Sequence, residues 1–99
     1  MVEMYGTIAR ITPKPGMEKA VVGAIEEWER DRRPLVKGSV GGYLYQLDKG
    51  GMMMVAVFEN KAAYVANAQD PAQDKWYQKF RALLQADPEW NDGEITPLR

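Results

Sequence analysis

The chain has 99 residues, 45% of them hydrophobic and 27% charged, with a net charge of −1, which is the make-up of a single ordinary globular domain spanning residues 1–99. No basic excess is present to neutralise phosphates, which argues against a nucleic-acid partner. Cysteine and histidine are both absent, which removes disulfides, thiol nucleophiles, the commonest general base and the usual metal and haem ligands.

In chain order, residues 5–11 read as a first strand, rich in β-branched and aromatic side chains and ended by Pro13, Pro15 and Gly16. From Met17 the pattern turns helical. Met17, Val21, Ala24, Ile25 and Trp28 form one apolar stripe, and the helix is expected to end before Pro34, because the residue ahead of a proline is pushed out of the helical region. The glycine-rich residues 38–42 lead into a second strand at residues 43–47. Asp48, Lys49, Gly50 and Gly51 then make a hairpin turn into a third strand, Met52–Phe58. Asn60 caps a short helix, Lys61–Ala68. Asp70, Pro71 and Gln73 form the start signal of another, with Gln73 expected to reach back as a capping box. That helix presents Trp76, Phe80, Leu83 and Leu84 on one side. Residues 87–93 read as loop and residues 94–98 as a short last strand, with Pro97 suited to its end. The order β-α-β-β-α-β is the split-βαβ, ferredoxin-like arrangement with an antiparallel sheet, an α+β fold.

The Met52–Phe58 run carries the strongest single signal. It is apolar throughout, whereas a strand with one face in water alternates apolar and polar residues. The helices of so short a chain cover one face of a sheet. A domain of this size buries roughly two thirds of its unfolded surface and is modestly stable alone. The expectation is a homodimer in which a second copy covers the other sheet face. Residues 1–6 lack the charged and apolar regions of a signal peptide, and no stretch approaches the ~20 apolar residues of a membrane span. A cytoplasmic location, no membrane association, and no cofactor or metal site are therefore expected.

Three segments carry a resemblance. Lys14-Pro15-Gly16-Met17-Glu18 follows the first strand, Val57-Phe58-Glu59-Asn60-Lys61-Ala62-Ala63-Tyr64 closes the third, and Asp70-Pro71 opens an amphipathic helix with paired leucines. Over nearly its whole length the chain resembles the antibiotic biosynthesis monooxygenase (ABM) domains of the dimeric α/β barrel superfamily. The resemblance implies a dimer whose sheets pack face to face, with a pocket in each subunit between sheet and helices. It also implies relatives that include cofactor-free oxygenases of polycyclic phenols, quinol oxygenases and haem-degrading enzymes. Where those oxygenases often carry Asn and Trp, this chain has Met54 and Phe58; where a His is common, it has Asn67 and Ala68. Tyr64 does match an aromatic hydroxyl position of the family.

The candidate site residues follow. Tyr64 and Asn67 are the candidate catalytic groups, and Trp28, Trp76, Phe58 and Arg10 the candidate substrate contacts. Four of them have a plainer alternative. The tryptophans suit core packing as well as an aromatic pocket wall, Asn67 suits a solvated helix end, and Arg10 suits a surface cation as well as an anchor for an anionic ligand. Tyr5, Tyr43 and Tyr45 fit strand or interface positions. Arg30, Arg32 and Arg33 fit the favourable end of a helix dipole better than a phosphate site. The glycines at 38–42 run from a helix into a strand, the reverse of a phosphate loop. The resulting expectation is a cofactor-independent monooxygenase of a small aromatic or quinol-type compound. The alternatives are a non-catalytic small-molecule-binding or stress-associated dimer, and an isomerase or cyclase on the same scaffold.

Overall fold

Alternation along β1 (Met4–Ile11) sorts its side chains: Thr7, Ala9 and Ile11 are buried, whereas Ile8 and Arg10 are exposed. The computed structural model describes residues 3–98. β1 lies inside a four-stranded antiparallel sheet with β2 (Ser39–Gln46), β3 (Met52–Phe58) and β4 (Glu89–Ile95), in the order β2-β3-β1-β4. With helices α1 (Glu18–Glu27), α2 (Lys61–Ala68) and α3 (Pro71–Arg81), the element order is β-α-β-β-α-α-β, the α+β, ferredoxin-like arrangement with a two-helix second crossover.

α1 does not stop cleanly before Pro34. It widens into a π-type turn, Trp28–Arg32, where the Arg33 N–H donates to the Trp28 carbonyl. It then tightens into a single 3₁₀ turn, Arg33–Leu35. Pro34 has no N–H for the carbonyl four residues back, and its ring crowds that carbonyl; the looser winding relieves both.

β2 (Ser39–Gln46) starts four residues earlier than the sequence pattern predicts, with a bulge between Ser39 and Gly41. Gly38 stands just before it at φ +86°, and a Cβ there would press into the Ala63 side chain 2.5 Å away. Only glycine lets α2 sit this close to the strand entry. β3 (Met52–Phe58) follows the hairpin turn, in which Gly50 and Gly51 hold φ values of +99° and +86°.

Asn60 accepts the Ala63 N–H at 2.8 Å and Asp70 accepts the Ala72 N–H at 2.9 Å, so both predicted caps form. Gln73 makes no reach-back bond, because its side chain is taken by Trp28. α3 ends at Arg81, and Leu83 and Leu84 pack from the turn beyond it. β4 (Glu89–Ile95) overturns the predicted loop at 87–93. Its polar residues pair along β1 from Arg10↔Glu89 to Met4↔Ile95.

Ile11, Val21, Met52, Phe80 and Leu84 form the core, with Trp76 and Leu83 packed on it. All come from the helix-facing side of the sheet or from the segments that cover it. The other face carries Ile8, Val55 and Tyr43 side by side across β1, β3 and β2, next to Met53 and Tyr45. In the single chain Tyr43 is 70% exposed, Tyr45 58% and Ile8 48%. Among the described residues no helix is long and apolar enough to cross a membrane.

Candidate functional site

On the helix-facing side, one row across the sheet reads Gly42, Ala56, Thr7 and Asp92. Its first three side chains are small and cannot reach the helices above them. Where the neighbouring region is filled by Phe80 and Leu84, this row leaves a cavity of about 840 Å³. That volume suits a small polycyclic molecule, and concave apolar spaces with a few placed polar groups are where small ligands bind.

Aromatic rings wall the cavity. Trp28, on the widened turn after α1, meets Trp76 of α3 edge to face at 6.5 Å between ring centres. Trp76 stacks on Phe80 at 4.9 Å, and Tyr77 lies 6.1 Å from Trp90 of β4. The Trp28 indole N–H donates to Gln73 Oε1 at 2.7 Å. This bond fixes the indole plane and uses the only hydrogen-bonding group Trp28 has.

Two polar groups of the lining, Tyr64 and Asp92, are bonded to each other. α2 carries Tyr64 over the sheet, where its ring packs 5.5 Å from Phe58 and 5.3 Å from Tyr5. Its hydroxyl donates to Asp92 Oδ1 at 2.8 Å. Burial pushes the Tyr64 phenol well above the ordinary phenol value, and the hydrogen bond to Asp92 and that carboxylate's charge add to the rise; a Thr7 hydrogen bond acts the other way. Tyr64 is therefore a neutral phenol at physiological pH, with its single proton directed at Asp92.

This shift gives a prediction. Of the five tyrosines, Tyr64 is expected to ionise last in an ultraviolet titration, well above pH ~10. A group whose native pKa is raised stabilises the fold below its unfolded pKa and loses that contribution as pH climbs toward the native value. Above pH ~10 the native chain should therefore lose stability more steeply than Tyr64→Phe. Equal slopes, or a Tyr64 phenol titrating at the ordinary value of pH ~10, would show that Tyr64 is not held this way.

Trp28, Trp76, Phe58, Tyr64 and Asn67 are all brought to the cavity. The Asn67 Oδ1 atom is buried there without a hydrogen-bond partner. Arg10 is not brought to it: the strand alternation that buries Ala9 and Ile11 turns Arg10 to the opposite, open face, between Met53 and Glu89. Asp92, Trp90, Tyr77 and Gln73 are cavity residues that the sequence reading did not select. Asp92 and Trp90 sit two residues apart, the spacing of one strand face, but in a segment read as loop. Among the described residues no three His, Cys, Asp or Glu side chains gather to hold a metal ion.

Fold and cavity together define a small α+β protein that holds a ligand-sized space between one sheet face and its helices. Solved structures share this fold. A provisionally named antibiotic biosynthesis monooxygenase from Chloroflexus aurantiacus superposes with a TM-score of 0.77 and 18% identity over 97% of this chain and 96% of that one. One from Bordetella bronchiseptica gives 0.79 and 18% over 96% and 99%. The protein NE2512 of Nitrosomonas europaea, of unknown function, gives 0.79 and 14% over 99% and 94%. At these identities the likeness is one of fold. No protein-family model and no curated protein sequence matches the chain.

Proposed function

We propose that this protein is a cofactor-independent monooxygenase of a small polycyclic phenol or quinol-type compound, working as a homodimer in the cytoplasm. The observation that carries the reading is the cavity itself: flat aromatic walls from Trp28, Trp76, Phe80 and Trp90, and one polar end at Tyr64 and Asp92. Aromatic faces favour flat ligands, and a polar end orients them. An electron-rich phenolic ring supplies its own electrons to dioxygen, so a ring methylene or C–H pair is oxidised, one oxygen atom enters the product and the other leaves as water. The protein's part is to hold the ring in one orientation and keep bulk water from the reacting carbon.

The dimer in this reading forms through the open sheet face. Ile8, Val55, Tyr43, Met53 and Tyr45 make a contiguous apolar patch there, and such patches on small proteins mark interaction surfaces. A second copy with the same patch satisfies it by two-fold symmetry.

Oxygen uptake with a panel of dihydroxynaphthalenes and anthrones tests the activity. Uptake above the protein-free rate, one dioxygen per substrate consumed, is expected; no acceleration across the panel would count against it. A second reading is favoured by Met54 and Phe58, which line the cavity where the oxygenases often have Asn and Trp: a non-catalytic small-molecule-binding or stress-associated dimer. That reading predicts a ligand recovered unchanged. Turnover without dioxygen would instead point to an isomerase or cyclase.

A further inference from the structure

The proposed function leaves open what the cavity demands of its aromatic ligand, and the placement of charge and protons around it answers that. The Tyr64 hydroxyl has one proton, and it lies on the bond to Asp92 Oδ1. What Tyr64 and Asp92 show to the cavity is therefore oxygen lone pairs. The Trp28 N–H, a donor on the opposite wall, is already given to Gln73. The charges lining the space are also one-sided. Among the described residues, Glu26, Glu29, Asp74 and Asp92 line it with a single cation, Arg30. Arg30 is itself paired with Asp31 at 3.0 Å. Arg33 compensates only Glu29, at 2.7 Å. A concave space lined mainly by one sign of charge repels ligands of that sign.

We infer that the cavity selects a non-anionic aromatic ligand carrying a hydroxyl donor, that the Asp92 carboxylate accepts this hydroxyl's hydrogen bond, and that aromatic carboxylates are rejected. This rests on the cavity being the ligand site. It makes Asp92 the specificity-determining residue, with Tyr64 holding the carboxylate in place through Oδ1. The bond also draws electron density toward the ring carbons, because a phenol donating to a carboxylate is partway to its phenolate. The restriction follows from mismatch: a methyl ether cannot donate, which forfeits the charge-assisted hydrogen bond to the Asp92 oxygen, and a carboxylate meets like charge.

The test uses tryptophan fluorescence without oxygen, so that binding is read apart from turnover. The probes are a dihydroxynaphthalene, its dimethyl ether and a naphthoate, matched in skeleton. The native protein should bind the diol at least about tenfold more tightly than either analogue, the effect of one well-made charged hydrogen bond. In Asp92→Asn the amide oxygen still accepts from Tyr64 but an N–H₂ now faces the ligand. The diol-to-ether ratio should fall to within about threefold and naphthoate binding should strengthen. Glu26→Gln/Asp74→Asn, which removes two carboxylates from the cavity lining, should strengthen naphthoate more than it changes the diol. An ether or naphthoate bound as tightly as the diol overturns this selectivity while sparing the cavity as an aromatic site. An unchanged ratio in a folded Asp92→Asn does the same. Failure of all three probes to bind overturns both.

Discussion

Phe80→Ala is expected to cost about 3–5 kcal/mol of folding stability, the range for deleting a buried aromatic ring. Phe80 is 1% exposed and sits among Ile11, Val21, Met52 and Leu84. The ring also backs the cavity: Trp76 stacks on it with ring planes 13° apart. Removing it takes away the surface that holds Trp76 against Trp28, so aromatic-ligand affinity should fall along with stability. Small domains have about 5–15 kcal/mol in total, so the variant should show a urea midpoint reduced by about a fifth or more. A loss under about 1 kcal/mol, the size of a typical surface change, would mean that this ring does not anchor the core.

Val55→Asp is expected to abolish the proposed dimer. Val55 is the middle residue of the open face, with Ile8 on one side and Tyr43 on the other. In a lone chain the new carboxylate is open to water from that face and the fold survives. In a face-to-face dimer it is buried without a partner, at a cost of several kcal/mol, so the dissociation constant should rise at least about a hundredfold. Sedimentation at micromolar concentration should show two copies for the native chain and one for the variant. A variant that associates as the native chain does would move the interface elsewhere, and a native chain that sediments as a lone protomer would remove the dimer from the account.

How much of this could be read from the sequence depended on whether the signal was local. β3, α2 and the two caps were legible to the residue, because a continuous apolar run, Asn60 and the Asp70-Pro71 pair act within a few positions. β4 was not. Residues 89–93 include Glu89, Asn91, Asp92 and Gly93, which by themselves favour turns. They form a strand because β1 supplies the partner, and tertiary pairing overrides weak local preference at a sheet edge. That is why Asp92 is not legible locally, whereas Tyr64 is a candidate only through the family resemblance.

The start of β2 was hidden in the same way, by Gly41 and Gly42. Gly42 is also a floor residue of the cavity, so the glycine that disguises the strand helps create the space. Arg10 was recoverable in principle: counting by twos from Ile11 places it on the other face. Gln73 fitted a capping box in sequence. The indole of Trp28, brought from 45 residues away, claimed it instead, and no local rule contains that contact.

The central claim is that the space above Gly42, Ala56 and Thr7 is a binding site whose polar end is the Tyr64–Asp92 pair. A crystal structure grown without oxygen in the presence of a dihydroxynaphthalene addresses it most directly. The account predicts the ring system between the Trp28–Trp76 wall and the Ala56 row, with one hydroxyl oxygen at hydrogen-bond distance from the Asp92 carboxylate. A ligand found on the open sheet face, or seated in the cavity with its hydroxyls turned away from Asp92, would contradict it.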